Sequence, residues 1–251
     1  MPENYWHLSK CNLFNQMQPE DIRTLAATSR VESFKRGDSI YLPQDRADEV
    51  LLLVSGRIKI CHLTPDGKQS ILVFIEPGEV FGELCLFDHD FREEYAEATE
   101  NSRVIFLPRK FLSEYMDSHS HMMRAFSKLV GERRLRIEKR LRNLLFHSNR
   151  ERLIFLLIEL LEQYGQETDG AVELKIKLSH QEMANIIGST RETVTVVLGE
   201  LQKEGILEIA RRRVKILQLD LLASQVHTSR ICLPENKSMP LASQSPVSVS
   251  Y

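Results

Sequence analysis

Short apolar runs separated by glycines dominate the chain from Val31 to Leu107. Runs such as EVLLLVSGRIKICHL and SILVFI are rich in the residues that strands favour. Turns between the runs are indicated by TPDGK and by five glycines: Gly37, Gly56, Gly67, Gly78 and Gly82. The pattern predicts an antiparallel β-roll of the jelly-roll type. A short helix is predicted before it, over residues 12–28.

A helical period replaces the strand pattern between Pro108 and Phe146. Pro108 suits the first turn of a helix, and a long helix is predicted from about Ser118 to Phe146. Steps of three and four residues define one stripe along this helix: Phe126, Val130, Arg133, Ile137, Leu141 and Leu144. Because the helix is long and its other faces are dense in charge, we expect the stripe to form a coiled-coil-like dimer contact. Packing on the chain's own β-roll is the alternative.

The following segment combines a helix with a strand. RERLIFLLIELLEQYG predicts an amphipathic helix that ends with Gly165 at the C′ position. VELKIKL alternates in the manner of a strand, with Val172, Leu174, Ile176 and Leu178 on one face.

Two short helices come next, and each is opened by a capping-box pattern, Ser179 with Glu182 and Ser189 with Glu192. Gly188 lies in the turn between them. ILEIARRRVKIL then predicts two strands joined by a basic turn. Strand, helix, glycine turn, helix and two-stranded wing make up the order of a winged helix-turn-helix, whose second helix lies in the DNA major groove.

The predicted recognition helix, Ser189–Leu201, has two faces. Four apolar residues form a buried stripe: Val194, Val197, Leu198 and Leu201. The opposite face and the tip carry Ser189, Thr190, Arg191, Glu192, Thr195, Val196 and Gly199. Arg191 can donate two hydrogen bonds to a guanine edge, and Glu192 can accept one from a cytosine amine. A surface charge or phosphate contact for Arg191, and a helix cap for Glu192, are the alternatives.

Composition and charge narrow the class of protein. The 251 residues, 42% hydrophobic and 27% charged, suffice for one or two domains with a real core. Residues 1–120 hold 13 basic and 20 acidic side chains, whereas residues 121–223 hold 18 basic and 14 acidic ones. A polyanion is therefore the expected partner of the second half. The start lacks the apolar segment of a signal peptide, and the longest apolar run contains Glu159, so we expect a cytoplasmic protein without a membrane span.

The expected organisation is α+β. Four parts are predicted: a β-roll domain over 1–117, a dimerisation helix over 118–147, a winged helix-turn-helix over 148–223, and a disordered tail rich in Ser and Pro over 224–251. The cysteines lie far apart without a metal-binding spacing, so we expect reduced, structural thiols and no metal: Cys11, Cys61, Cys85 and Cys232.

LSHQEMANIIGSTRETVTVVLGELQKEGIL resembles the DNA-binding signature of the Crp/Fnr superfamily of bacterial transcription regulators, especially the nitrogen-control regulators of cyanobacteria. The order of β-roll, long helix and winged helix fits that family over residues 8–222. The resemblance implies a sequence-specific transcription regulator, with no catalytic residues, that binds a palindromic operator in double-stranded DNA as a homodimer. It also implies contact with RNA polymerase if the protein is an activator. Half-sites about one helical turn apart are expected.

The resemblance implies roles for individual residues. Arg191 and Glu192 stand where family members read G·C pairs, and His180 and Gln181 stand where residues contact phosphates. The basic residues of the wing would add backbone contacts: Arg211, Arg212 and Arg213. Val196 departs from the family, because the cyclic AMP receptor protein and the nitrogen regulators have a third base-reading arginine there. Since valine makes only apolar contacts, for example with a thymine methyl, we expect a different operator.

PGEVFGELCLFDHDFREEYAEA resembles the phosphate-binding cassette of cyclic-nucleotide-binding β-rolls. The residues that would form the effector site are Gly82, Glu83, Leu84, Cys85 and Arg92. Glu93 and Glu94 follow Arg92 where the family has Ser or Thr and then a small residue, and further carboxylates lie nearby: Asp88, Asp90 and Glu97. Since carboxylates around Arg92 repel a cyclic phosphate, we do not expect cyclic AMP in the usual mode. A vestigial loop with Arg92 in a salt bridge is the alternative.

The nitrogen regulators bind 2-oxoglutarate with an arginine and a glutamate five residues apart on the long helix, and Arg133 and Glu138 match that spacing. The cassette arginine that they also need aligns with Glu94, which argues against 2-oxoglutarate. Arg133 on the dimer stripe needs a partner, because a buried unpaired charge is costly. An acidic effector, or Glu138 or Glu132 across the dimer, would serve, and of these an internal salt bridge is favoured over an effector.

Two rival functions stay open. A Crp-like regulator controlled by its abundance or by a partner protein needs no ligand, and the altered cassette supports it. An enzyme on a cupin-like barrel needs a cluster of His and Glu metal ligands, and His62 and His89 lack that spacing.

Overall fold

The computed structural model describes residues 4–64, 69–168, 170–210, 213–228 and 231–234. The chain divides into two compact units, Met1–Leu145 and Phe146–Tyr251. The hairpin turn predicted at TPDGK falls largely on residues 65–68, which lie outside the described residues. It therefore stays a prediction.

Two short helices open the first unit, α1 over Asn4–Lys10 and α2 over Pro19–Thr28. The single helix predicted over residues 12–28 therefore starts too early. Pro19 explains the boundary, because it occupies the first turn of α2 while Gln18 before it is extended, with φ −64° and ψ 146°. A residue that precedes proline is restricted to such extended backbone.

In the described part of this unit, eight strands form two antiparallel sheets. They are β1 Arg30–Phe34, β2 Ser39–Tyr41, β3 Glu49–Ser55, β4 Ile58–Leu63, β5 Gln69–Ile75, β6 Val80–Phe81, β7 Tyr95–Ala98 and β8 Ser102–Pro108. One sheet has the order β1-β8-β3-β6 and the other has the order β2-β7-β4-β5. Leu51 and Val104 of the first sheet share one buried cluster with Ile60 and Ala96 of the second. The predicted β-roll is thus confirmed.

Two further helices belong to this unit, α3 over Arg109–Ser118 and α4 over Ser120–Phe146. His119 breaks the helical path between them, with φ −131° and ψ 91°. Met122 and Phe126 near the start of α4 are fully buried in the core of the roll. Phe126, which the sequence pattern assigns to the dimer stripe, packs on its own roll instead, because the first two turns of α4 still cover that core.

The rest of the stripe is more accessible than Phe126. Val130 and Arg133 are half-buried, whereas Ile137, Leu141 and Leu144 are 56%, 54% and 40% exposed. Other large apolar residues of the same half of α4 are also exposed: Leu135, Leu145 and Phe146. The helix therefore packs on the roll with its first half and presents apolar surface with its second half.

The second unit contains a helix, an antiparallel sheet and a helix-turn-helix. Its elements are α5 Asn149–Tyr164, β9 Gly165–Thr168, β10 Ala171–Leu174, α6 His180–Ile187, α7 Arg191–Lys203, β11 Leu207–Ala210, β12 Arg213–Ile216 and α8 Leu219–Ser224. The sheet has the order β11-β12-β10-β9. This is the predicted winged helix-turn-helix order.

Two local predictions in this unit need correction. Gly165 does not end α5 in a left-handed conformation; its φ of −71° opens β9. Glycine is required there because a Cβ would lie 2.5 Å from the Leu161 carbonyl oxygen. The strand predicted over VELKIKL ends at Leu174, although Ile176 and Leu178 beyond it are buried.

The tail predicted from residue 224 begins too early. Ser224 is the last residue of α8, and Val226 after it is buried. Leu233 packs near Gly165, where an added Cβ would lie 3.0 Å from the leucine side chain. Disorder over residues 235–251 stays a prediction, because they lie outside the described residues.

We find no helix among the described residues whose length and hydropathy suit a membrane span. The same residues contain no group of three or more His, Cys, Asp or Glu side chains placed to hold a metal ion. Cys11, Cys61 and Cys85 are buried and Cys232 is exposed, and none of the four forms a disulfide among the described residues.

Candidate DNA interface and effector pocket

Helix α6, which precedes the recognition helix, begins with a capping box and ends with a glycine. The Ser179 hydroxyl accepts a hydrogen bond from the Glu182 amide at 3.2 Å, and the Glu182 carboxylate accepts one from the Ser179 amide at 2.7 Å. This is the predicted capping box of α6. Gly188 ends α6 in the left-handed region with φ 64°, which side chains other than glycine adopt only with strain.

The recognition helix α7 begins with a different cap from the predicted one. The Thr190 hydroxyl accepts a hydrogen bond from the Thr193 amide at 3.2 Å, so Thr190 is the N-cap. The predicted capping box of Ser189 with Glu192 is therefore wrong. The pKa of Glu192 is still lowered, first by its own backbone amide and then by the Thr190 hydroxyl. Its carboxylate is thus ionised at the positive end of the helix dipole.

The two faces of α7 have the predicted character. Val194, Val197, Leu198 and Leu201 are buried. Arg191, Glu192, Thr195 and Val196 are exposed or half-exposed, and Val196 is 59% accessible. This face is therefore open to approach by another surface, to which Val196 would offer an apolar contact.

His180 and Gln181 lie in the first turn of α6, and His180 contacts the exposed face of α7. The Thr195 hydroxyl donates to the Arg191 carbonyl at 2.9 Å, and the His180 Nδ1 lies 2.8 Å from the same hydroxyl oxygen. His180 Nδ1 is therefore the donor of this pair. Gln181 donates to the Asn185 side-chain oxygen at 2.8 Å. His180 thus links the two helices as well as standing at a helix N-terminus.

A cleft of about 380 Å³ runs from the helix-turn-helix to the wing. Residues from both parts line it: Ser179, His180, Gln181, Arg191, Ile209 and Val214. Arg213 at the start of β12 lies 3.6 Å from the Glu173 carboxylate and is largely exposed. Arg211 and Arg212 lie outside the described residues, so their phosphate contacts stay predictions.

In the first unit, the cassette begins with Gly82 in a left-handed conformation at φ 69°, followed by a 3₁₀ turn over Glu83–Phe87. Glu83 is 3% exposed and forms a salt bridge with Arg133 of α4. Arg133 also donates to the Val80 carbonyl. The internal salt bridge favoured for Arg133 is therefore present, but its partner is Glu83 of the same chain and not Glu138 or Glu132 across a dimer.

Arg92 is 6% exposed and donates to main-chain carbonyls, not to a carboxylate. Its Nη1 donates to the Gly82 carbonyl at 2.7 Å, and its Nη2 donates to the Glu49 carbonyl. Its guanidinium also lies 4.7 Å from the centroid of the Tyr41 ring. A Cβ at Gly82 would lie 2.6 Å from Nη1, so glycine makes room for the buried cation. The salt bridge considered for Arg92 is replaced by these contacts.

The carboxylates of the cassette have different surroundings. Asp90 accepts from Arg109 at 2.7 Å, which lowers the pKa of Asp90, and Glu97 pairs with Lys59 at 3.0 Å. Glu94 is half-buried, and its pKa is raised first by burial and then by the charge of Glu83. The repulsion expected for an anion therefore comes mainly from Glu94.

A cavity of about 250 Å³ lies between the roll and α4. Apolar and charged residues line it: Tyr41, Ile60, Leu72, Val73, Gly82, Glu83, Leu84, Glu94, Val130, Arg133, Arg134, Arg136, Ile137 and Glu138. Glu138 accepts from Arg134 at 2.8 Å, so it does not pair with Arg133. Cys85 is fully buried next to the cavity wall, and burial raises the pKa of its thiol to about 11.

Two family models match the chain, a cyclic nucleotide-binding domain over residues 31–119 and a Crp-like helix-turn-helix domain over residues 151–225. A crystal structure of a CRP/FNR family regulator from Thermus thermophilus matches at 29% identity and a TM-score of 0.62, covering 79% of this chain and 99% of that one. The transcriptional regulator SdrP of Thermus thermophilus is 34% identical over 194 residues, which cover 74% of this chain and 89% of SdrP. The chain belongs to the Crp/Fnr family of transcription regulators.

The nitrogen-control resemblance also has a match. The global nitrogen regulator of Synechococcus elongatus is 28% identical over 198 residues, covering 78% of this chain and 89% of that protein. The Crp/Fnr regulator described here is thus a DNA-binding transcription regulator with a cyclic-nucleotide-binding-like β-roll and a winged helix-turn-helix.

The sequence analysis of this Crp/Fnr regulator did not assign Tyr41 to the effector site. Tyr41 lines the cavity and lies under the Arg92 guanidinium. Alternation along SIYL indicates only that Tyr41 faces inward. Its position beside the cassette depends on the pairing of β2 with β7, which brings Tyr41 opposite Ala96.

Proposed function

We propose that this Crp/Fnr regulator binds a palindromic operator as a homodimer, with α7 of each subunit in the major groove of one half-site. Arg191 and Glu192 read base edges, and Thr195 and Val196 contact the same groove. His180, Gln181 and the wing arginines contact phosphates. The observation that carries this proposal is the exposed tip of α7: the Arg191 guanidinium makes no hydrogen bond or ion pair within the described chain.

The second half of α4 supports the homodimer. Three of its exposed apolar side chains lie along one line of a helix that is otherwise highly charged, and such a strip is unfavourable in water. Ile137, Leu141 and Leu144 recur at steps of three and four residues, as a paired helix requires. We therefore propose that two copies of α4 pair along these three residues.

Sedimentation velocity combined with DNA-binding anisotropy tests the homodimer. Leu141→Asp is expected to give monomers and to lower operator affinity by at least about a hundredfold, because two half-sites no longer bind together. Leu135→Asp is the matched control, since Leu135 is similarly exposed but lies off the stripe. A dimeric Leu141→Asp protein with full affinity would contradict the proposal.

We further propose that the cavity beside α4 is the effector site, and that cyclic AMP is not bound there in the usual mode. Arg92 already donates to two carbonyls and Arg133 already pairs with Glu83. The same pairs favour a second candidate, a regulator that needs no ligand. Thermal-shift screening of the purified protein with nucleotides, keto acids and amines distinguishes them: a saturable shift with any of these compounds excludes the ligand-free regulator, and no shift with any of them supports it.

A further inference from the structure

The hydroxyl of Tyr41 is buried without a hydrogen-bond partner among the described residues. Tyr41 is 7% exposed, and its ring lies between the Arg92 guanidinium, 4.7 Å from the ring centroid, and the Phe81 ring at 6.3 Å. Leaving a buried hydroxyl unsatisfied costs free energy. A ligand group that reaches it recovers this cost.

Glu94 lines the same cavity as Tyr41. Its side chain forms no ion pair and no side-chain hydrogen bond with any residue that the structure describes. Burial raises the pKa of Glu94, and the neighbouring Glu83 carboxylate raises it further. The pKa of the Tyr41 phenol is also raised, by burial first and then by Glu94, so the two groups lie within electrostatic reach of each other.

The cations around the cavity are already satisfied. Arg92 donates to carbonyls, Arg133 pairs with Glu83, and Arg134 pairs with Glu138. Arg136 is exposed to solvent, where water screens its charge. These arginines thus already hold partners within the fold, whereas Glu94 has no ion-pair partner among the described residues and would repel an anionic ligand.

The remaining wall is apolar. Side chains from the roll and from α4 form it: Ile60, Leu72, Val73, Leu84, Val130 and Ile137. A volume of about 250 Å³ suits a ring with a short side chain, which buries an apolar body and leaves one polar end.

We propose that this cavity binds a small primary amine with an apolar body, whose ammonium group pairs with Glu94 and donates a hydrogen bond to the Tyr41 hydroxyl oxygen. An ammonium ion has three donors and no acceptor, which matches a carboxylate and a phenol oxygen that line the same cavity. This inference rests on the proposed effector site and adds the chemical class of its ligand.

Three probes of one shape and different charge test the inference on the purified full-length protein: 2-phenylethylamine, 2-phenylethanol and 3-phenylpropionate. Isothermal titration calorimetry is expected to give saturable binding of the amine, at least about tenfold tighter than that of the alcohol, because a charge-assisted hydrogen bond is added. The carboxylate is expected to bind more weakly than the alcohol.

Variants assign the recognition to named groups. Glu94→Gln is expected to remove the preference for the amine over the alcohol, and Tyr41→Phe is expected to weaken the amine by about three- to tenfold. Glu93→Gln is the matched control, because it removes the same charge from the adjacent exposed residue and leaves the cavity intact. Circular dichroism and melting curves check that each variant folds.

Equal or tighter binding of 3-phenylpropionate, an unchanged amine preference in Glu94→Gln, or no saturable binding of any probe would overturn the inference. Operator affinity is measured by anisotropy on the same samples. If the wild-type protein binds the operator but not the amine, only the ligand class is contradicted. If the wild-type protein does not bind the operator, the proposed DNA function is contradicted.

Discussion

Arg191 and Arg92 are both arginines that a family motif assigns to a ligand, yet their surroundings are opposite. Arg191 is exposed at the start of α7 beside an ionised Glu192. Arg92 is buried, and its donors already reach the carbonyls of Gly82 and Glu49. The guanidinium of Arg191 is therefore open to a new partner, whereas that of Arg92 is buried and already bound to the main chain.

A match to a family motif therefore has different consequences in the two units. In the helix-turn-helix, the matched residue keeps its donors available, so the chemistry of base recognition can be carried over. In the cassette, the matched residue has become part of the fold. The same residue type therefore supports recognition in one unit and stability in the other.

The largest expected effect is on the stability of the roll. Arg92→Ala leaves two carbonyls without a donor, at about 1–3 kcal/mol each, so we expect a loss of about 3 kcal/mol in the free energy of unfolding. Urea denaturation measures it. Arg46→Ala is the control, because its pair with Asp48 is exposed and contributes little. If the Arg92→Ala protein were fully stable but no longer bound a phosphate ligand, Arg92 would be a ligand-binding residue like Arg191 and not part of the fold.

Arg191→Ala is expected to leave the melting temperature unchanged and to lower affinity for a specific operator by about a hundredfold per dimer, since each half-site loses a bidentate contact. Fluorescence anisotropy at fixed salt measures it. Lys203→Ala, a basic residue at the other end of α7, should change affinity only slightly. Equal losses in both variants would mean that Arg191 contributes charge alone.

The position of the helix cap gives a smaller effect. Thr190→Ala removes the hydroxyl that accepts from Thr193 and should cost about 1 kcal/mol of stability. Ser189→Ala should cost almost nothing, although both residues suit a cap by type. If thermal or urea unfolding ranked them the other way, α7 would begin at Ser189 as the sequence pattern predicts.

Glu94→Gln tests the carboxylate of the cavity through pH. The raised pKa of Glu94 means that the folded protein binds its proton more tightly than the unfolded chain. This contribution is complete below the unfolded value near 4.5 and is lost as pH rises through the raised folded value. We expect Glu94→Gln to gain stability over wild type as pH increases through that window. Melting curves at several pH values measure this, with Glu93→Gln as the control. The same dependence of melting temperature on pH in both variants would contradict it.

Periodicity was sufficient for the order of the elements and for the faces of α7, because burial of Val194 and Leu198 follows directly from helical spacing. It misplaced element ends, such as the start of α2 at Pro19 and the end of β10 at Leu174. Local pattern could not choose between Ser189 and Thr190 as the cap, since both types suit the position and Glu192 stands at the spacing of a capping box. Nor could it reveal the pairing of Arg133 with Glu83, because these residues are far apart in sequence. Contacts of that kind depend on the packing of α4 on the roll.

Binding-site selection from random DNA with the wild type and Arg191→Ala is the decisive test of base reading by α7. We expect the wild type to select a palindromic motif with half-site centres about 10 base pairs apart. Each half-site should contain a G·C pair that Arg191→Ala no longer selects, and a thymine whose methyl group contacts Val196. A motif without two-fold symmetry, or an identical motif from Arg191→Ala, would contradict it.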